Sequence, residues 1–289
     1  MSIKLINNLL LKTKQNNRSF SFDIRYLSSE EAKPVIIFVH GLKGFKDWGH
    51  FNLIGDYFAK AGFVFIKLNL SHNGTTPEHP EDLADLKAFG NNTLSKELED
   101  IEVLVDYLFA QPDELKEAKI DLSNLFIIGH SRGGGLTIIK AYEDERIKGV
   151  ITWSAVDDYG ARWPKEDRDE WKKSGVRYMY NSRTKQNMPQ YYSLVDDYEK
   201  NFERLNIHRV VGKLQVPALF IHGSNDETVD VSSARRLEEV SSTGRACIIE
   251  GASHTFGGRH PYPGFELPEH SIELADISIN WLNGQINND

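Results

Sequence analysis

Apolar positions recur along this chain in two rhythms. Pro34–His40, Phe63–Asn69, Asn124–Ile128, Ile147–Ser154, Val216–His222 and Arg245–Glu250 are short, nearly continuous apolar runs of strand length. Such a run suits a strand covered on both faces, as in a parallel sheet. Between the runs the spacing becomes helical. Leu94–Ala110 carries Leu94, Leu98, Ile101, Leu104, Val105 and Leu108 on one face, the three-to-four spacing of an amphipathic helix. Helices are likewise predicted at His50–Ala61, closed by Gly62, and at Arg132–Tyr142, Val231–Val240 and Ser271–Asn283. Ahead of them, Asn8–Thr13 and Ser19–Leu27 alternate as half-buried strands do, with Asn16-Asn17 as a turn. Strands alternating with helices predict an α/β fold: a mostly parallel central sheet with helices on both faces.

Two stretches depart from the rhythm. Ser71–Asn92 reads as a polar loop. Asp157–Gln215 is too long for an ordinary connection and predicts an insertion, a cap over the C-terminal edge of the sheet. Residues 1–156 and 216–289 would then form one core domain and 157–215 the cap or lid. Within the insertion, Val176–Tyr180 and Gln186–Pro189 predict a hairpin, and the charge run from Lys165 to Glu170 predicts a solvated helix face.

Composition narrows the class. The chain has 289 residues, 40% hydrophobic and 26% charged, near the values of a globular protein. A formal charge of −8 argues against broad binding to nucleic acid or to an anionic membrane. No apolar run is long enough for a membrane span. Asn7, Asn8 and Lys12 interrupt the first apolar stretch, so no secretory signal is expected. The single cysteine, Cys247, allows no internal disulfide and reads as a small buried apolar residue in a strand. A cytoplasmic location is expected, with a monomer or homodimer as the assembly.

The chemistry concentrates where predicted strands end. Gly129-His130-Ser131-Arg132-Gly133 directly follows one strand and opens a helix. That strand–turn–helix context makes G-x-S-x-G a nucleophile elbow, which holds the serine in a strained conformation at a helix N-terminus. A serine hydroxyl needs an adjacent base. Gly251-Ala252-Ser253-His254 follows another strand and offers His254; His222-Gly223-Ser224-Asn225-Asp226 offers Asp226 as the acid that orients it. Glu227, Asp230, Asp157 and Asp158 are competing acids. The oxyanion hole needs two converging backbone N–H groups. Arg132 and Leu42, in the loop His40-Gly41-Leu42-Lys43-Gly44, are the expected donors. The Arg132 side chain is expected in a structural ion pair, and Gly133-Gly134-Gly135 in close helix–strand packing. No ligand spacing for a metal and no nucleotide-binding pattern occurs, so no cofactor is implied.

These four motifs, in this order, resemble the α/β-hydrolase superfamily from about Val35 to Asn283. Within it the chain is similar to the branch of dienelactone hydrolases and prolyl-oligopeptidase-like enzymes, which includes bacterial cinnamoyl (feruloyl) esterases. Arg132 departs from elbows of that branch that carry glutamine there. The resemblance implies a serine hydrolase with Ser131, Asp226 and His254 as its triad.

The insertion holds six of the 11 tyrosines, Tyr159, Tyr178, Tyr180, Tyr191, Tyr192 and Tyr198, with Trp163 and Trp171. Its mix of aromatic and charged residues leads to an expected small-molecule substrate, a carboxylic ester with a small to medium, partly polar or aromatic acyl group. A peptidase or thioesterase with the same triad is a second reading, and a non-catalytic ligand receptor a third.

Overall fold

The computed structural model describes residues 2–286. The chain opens with β1 (Ile3–Lys12) and β2 (Ser19–Leu27), an antiparallel pair. Then follow β3 (Lys33–Val39), α1 (Phe51–Lys60), β4 (Val64–Leu68), α2 (Leu86–Gly90) and α3 (Leu94–Phe109). Next come β5 (Ile120–His130), α4 (Arg132–Glu143) and β6 (Ile147–Trp153). Residues 157–215 contribute α5 (Lys165–Ser174), β7 (Val176–Asn181), β8 (Gln186–Tyr191), α6 (Ser193–Lys200), α7 (Phe202–Leu205) and α8 (Ile207–Val211). The chain closes with β9 (Ala218–Gly223), α9 (Ser232–Val240), β10 (Gly244–Ile249) and α10 (Glu269–Ile286).

Eight strands form one sheet in the order β1-β2-β4-β3-β5-β6-β9-β10. From β4 through β10 the neighbours are parallel, while β1–β2 and β2–β4 are antiparallel. The continuous apolar runs have a simple explanation in this arrangement. Successive side chains of a strand point to opposite faces. In β3, Val35, Ile37 and Val39 join a cluster with Leu98 and Ile101 of α3 and Leu136 of α4. Ile36 and Phe38 join the opposite cluster with Ile54 and Phe58 of α1 and Leu274 of α10. Both faces are covered, so both parities must be apolar. Each large side chain buried this way contributes roughly 1.5–3 kcal/mol.

The structure differs from the sequence reading in a few places. β1 starts at Ile3 rather than Asn8. Asn7-Asn8 marks an irregularity in the β1–β2 register, with Asn8 at φ 53° and its N–H bonded to Asp23 Oδ1 at 2.8 Å. Asparagine tolerates this left-handed conformation, so the strand is bent there and not ended. The loop Ser71–Asn92 contains α2, capped by the Asp85 side chain on Ala88 N. Residues 157–215, read as irregular apart from a hairpin and a solvated helix face, are largely regular. β7 and β8 pair antiparallel as a separate two-stranded sheet. On α5 the charge run is solvated, and Trp171 is the residue it buries. Cys247 lies in β10 but is half-buried rather than buried. Among the described residues no helix is long and apolar enough to cross a membrane.

Candidate active site

Ser131 occupies the single residue between β5 and α4, at φ 56° and ψ −120°. A non-glycine residue held there costs about 1–3 kcal/mol and persists only when its surroundings over-determine it. Here they do. Ser131 N donates to Trp153 O at 2.9 Å, and Ser131 O accepts from Gly134 N at 3.0 Å and Val156 N at 3.2 Å. The glycines of the motif are required by space. A Cβ on Gly129 would lie 2.4 Å from Gly133 O, and one on Gly133 would lie 2.5 Å from the carbonyl oxygens of Val39 and His40. A Cβ on Gly134 would sit 2.4 Å from Ala155 Cβ. The glycine run thus serves close packing of α4 against the strand ends.

The histidine and acid arrive on neighbouring loops after β9 and β10. Asn225 N donates to Ala252 O at 3.0 Å, Ser224 N to Ile249 O at 3.0 Å, and Gly251 N to Ser224 Oγ at 2.8 Å. This lacing sets Asp226 Oδ2 2.8 Å from His254 Nδ1. Asp226 Oδ1 accepts from Thr228 N and Val229 N, both at 2.9 Å, and His222 Nε2 lies 3.1 Å from Oδ2. Burial alone would raise this carboxyl. Hydrogen bonds from His222, His254 and Val229, with the charge of His254, outweigh it and hold the group well below the usual carboxylate range. With Nδ1 donating to Asp226, Nε2 of His254 is left as the basic nitrogen. His254 is itself held from behind: His130 Nε2 donates to His254 O at 2.9 Å, and the two rings lie 4.8 Å apart. Burial, reinforced by the charge of His254, pushes the His130 imidazole down to about 3, so it acts as a neutral donor.

The competing acids are engaged elsewhere. Asp157 receives Arg236 at 2.6 and 2.9 Å and His208 at 2.9 Å. Asp158 Oδ1 accepts from Gly160 N, and Asp230 Oδ1 from Ser232 N. Glu227 touches only the backbone of His254, at 3.4 Å.

Leu42 lies in the loop between β3 and α1, which passes directly beside the elbow: a Cβ on Gly41 would be 2.9 Å from Ser131 Cβ. His40 pins this loop. Its Nδ1 donates to Gly41 O at 2.9 Å, and its Nε2 accepts from Leu70 N at 3.3 Å and Asn73 Nδ2 at 3.2 Å. Burial pushes His40 down to about 4, which keeps it in this neutral form. The Arg132 side chain turns away into a buried ion pair, its Nε 2.9 Å from Glu97 Oε2.

Ser131, Arg132, Leu42 and His254 all line one cavity of about 700 Å³. Its walls include Trp48 and Phe51 from around the start of α1, and Tyr159, Trp163 and Met179 from residues 157–215. Of the six tyrosines in that stretch only Tyr159 lines it. Tyr159 OH donates to Arg132 O at 2.8 Å. Tyr178 and Tyr180 are 64% and 62% exposed, and Tyr198 packs edge-on against Trp163. The wall residues that went unnoticed are basic: Lys43, Arg162, Arg177, Arg183 and Arg259. For Arg177 the signal was the strand parity of β7, where 177, 179 and 181 face the cavity and 178 and 180 face solvent.

Among solved structures, Est1E from Butyrivibrio proteoclasticus with ferulic acid bound superposes at TM-score 0.67 and 18% identity, covering 99% of this chain and 96% of that one. The monoacylglycerol lipase of Paleococcus ferrophilus superposes at TM-score 0.64 and 17% identity, over 92% and 99% of the two chains. The esterase domain of a Rhodothermus marinus protein reaches 0.63 at 15% identity, over 97% and 98%. These likenesses establish the α/β-hydrolase fold. No curated protein sequence matches the chain. Residues 22–176, more than half of the chain, match the dienelactone hydrolase family. The chain therefore belongs to the dienelactone hydrolase family and is a serine hydrolase acting on ester bonds.

Proposed function

We propose that the chain cleaves carboxylic esters of small to medium acyl groups through an acyl-enzyme on Ser131. The observation that carries this reading is the Asp226–His254 pair on the wall of the cavity that Ser131 enters from its strained turn. Ser131 Oγ attacks the ester carbonyl while His254 Nε2 takes its proton. The backbone N–H groups of Leu42 and Arg132 hold the oxyanion. Collapse breaks the ester C–O bond, and His254 passes the proton to the departing alcohol. Water, deprotonated by His254, then attacks the acyl-enzyme and releases the acid, with the proton returned to Ser131. Asp226 keeps the imidazole in the required tautomer and stabilises its cationic form. Residues 157–215 act as the cap that completes the cavity, whose volume falls in the range of small-molecule sites.

A fluorophosphonate probe tests the reading. The wild-type protein should carry one adduct, located on Ser131 by mass spectrometry, and S131A and H254A should carry none. Equal labelling of S131A would overturn it. With p-nitrophenyl esters, S131A should lower kcat by about 10³-fold or more. Parallel assays with thioesters and aminoacyl amides separate esterase from thioesterase or peptidase action.

A further inference from the structure

We propose that the buried charge cluster of Asp23, Lys46, Asp47 and Lys67 positions the oxyanion loop, the segment between β3 and α1 that carries Leu42, and through it sets kcat. The proposal rests on Leu42 supplying an oxyanion donor, as proposed above.

A backbone N–H stabilises an oxyanion only when it stands about 2.7–3.1 Å from the place the oxygen will occupy. Leu42 lies in a segment without helix or strand. Gly44 N donates to Gly41 O at 3.0 Å, which closes residues 41–44 into one turn, and Lys43 within it has φ 63°. One side of this turn lines the cavity. Its position therefore depends on what grips its ends. His40, bonded to Leu70 and Asn73, holds the first. The Leu42 side chain packs against Leu83, Phe89 and Met188, but apolar contact is non-directional and permits sliding.

Lys46 holds the other end, and it is fixed at three points. Its N–H donates to Asn69 Oδ1 at 2.7 Å, and its carbonyl accepts from Lys67 Nζ at 3.0 Å. Its own Nζ donates to Asp23 Oδ2 at 2.7 Å and to Asp47. Lys67 Nζ donates further to Asp47 Oδ1 at 2.7 Å and to Asn52 Oδ1 at 2.6 Å. Asp23 and Lys67 are register partners in the β2–β4 ladder. Two cations and two anions thus tie the loop to β2, β4 and the first turn of α1. Burial alone would raise the Asp47 carboxyl; the charges of Lys67 and Lys46 outweigh it and hold the group down to about 2.

Stability alone gives little reason for the cluster. The cost of burying charges largely offsets their pairing, and apolar side chains of similar size often serve stability as well. Apolar packing is available at this place. Lys67 is the one charged residue of β4, and Phe65, on the same face of that strand, lies 5.1 Å from the Phe58 ring of α1. What charge-assisted hydrogen bonds add is fixed length and direction. At the base of the oxyanion loop, that property serves the reaction.

Kinetics with p-nitrophenyl acetate and its thionoester test this. Sulfur accepts hydrogen bonds weakly, so a displaced oxyanion donor slows the ester more than the thionoester. The double variant D47N/K67M removes one charge of each sign and leaves Asp23 with Lys46. Its kcat for the ester should fall at least about tenfold with little change in KM. The ratio of kcat/KM for the ester to that for the thionoester should fall as well. The acid limb of the pH profile, set by His254, should stay where it is in the wild type. A merely structural role would lower the active fraction, which cancels in a ratio taken within one variant. K67Q, which can still donate to the Lys46 carbonyl, should keep more of kcat than K67M. D23N, which keeps the shape of Asp23, should show the same signature and replaces the double variant if that fails to fold. Wild-type kcat in these variants, or a lower kcat with an unchanged ratio, would overturn the positioning role and leave the serine hydrolase standing. A wild-type protein that neither hydrolyses the ester nor takes the fluorophosphonate would remove the proposed function, and this role with it.

Discussion

Ser131 pays for its position in backbone strain, and its neighbours show how that strain is contained. The hydrogen bonds at its own N–H and carbonyl tie the turn to β6 and to the segment that follows it. Asp226 shows the complementary device, a carboxylate saturated with donors. Replacing it with asparagine keeps the shape but presents an N–H where His254 Nδ1 needs an acceptor. D226N should therefore lower kcat by about 10³–10⁴-fold with little change in KM. Steady-state kinetics on a p-nitrophenyl ester would check this, and a full-rate D226N would show that another acid orients His254. His130 and His222, each inside one of the motifs, brace the same pair, one on the histidine carbonyl and one on the carboxylate.

At the scale of elements, α4 is set by how closely it approaches the strand ends. Its first turn contains three glycines because a Cβ on each would meet a neighbour: the carbonyl oxygens of Val39 and His40 at Gly133, Ala155 Cβ at Gly134, and the Ile207 and Tyr159 side chains at Gly135. Gly133→Ala places a Cβ 2.5 Å from two carbonyl oxygens that cannot move aside singly. The expected destabilisation is about 3 kcal/mol or more, at or beyond the upper end of overpacking effects. Gly284 lies in α10, where an added Cβ meets nothing within 4 Å. Gly284→Ala should stabilise by about 0.5–1 kcal/mol through helix propensity alone. Urea denaturation of the two variants separates steric need from helix propensity. Equal effects would mean that the packing at Gly133 is looser than the geometry indicates.

Across the whole molecule, burial of histidines governs the response to acid. Burial is the leading cause that pushes His40, His50 and His72 down to about 4 and His130 to about 3. In the unfolded chain each would titrate near about 6.5. Between these values the unfolded state binds more protons, so stability falls as pH drops from about 6.5 toward 4. Asp100, raised to about 8 by burial, and Glu97, raised for the same reason, act in the opposite direction. His208, raised by its hydrogen bond to Asp157, joins the two acids, and His260, lowered by burial, joins the four histidines, so five groups outnumber three. The urea midpoint should therefore be lower at pH 5 than at pH 7; a higher one would show that the acids dominate. Beneath the loop of Leu42, Lys46 and Lys67 are paired with Asp23 and Asp47, all four side chains nearly inaccessible. Lys46→Met removes the nearest cation from Asp23, leaving Lys67 at 3.7 Å and the Asn8 N–H, and should cost about 3 kcal/mol, measurable in the same titration.

Local pattern in the chain was enough to locate the large strands and helices, the elbow around Ser131 and the loops carrying Asp226 and His254. The periods that define those elements, and the glycines and polar residues that end them, act within a few residues of one another. The five-residue helix α2 escaped because it is shorter than any period can reveal, and β1 was shortened because Asn8 bends a strand where its type suggests a break. The remaining features depended on contacts between distant residues. Asp226 was separated from Asp157 only by which loop lay 2.8 Å from a histidine 28 positions further along. The tyrosines of the insertion were separated from its arginines only by which face of β7 turned toward the cavity. A side chain's chemistry is written in its type, but its partners are set by where the sheet order and the packed loops bring it, and that is a property of the folded whole.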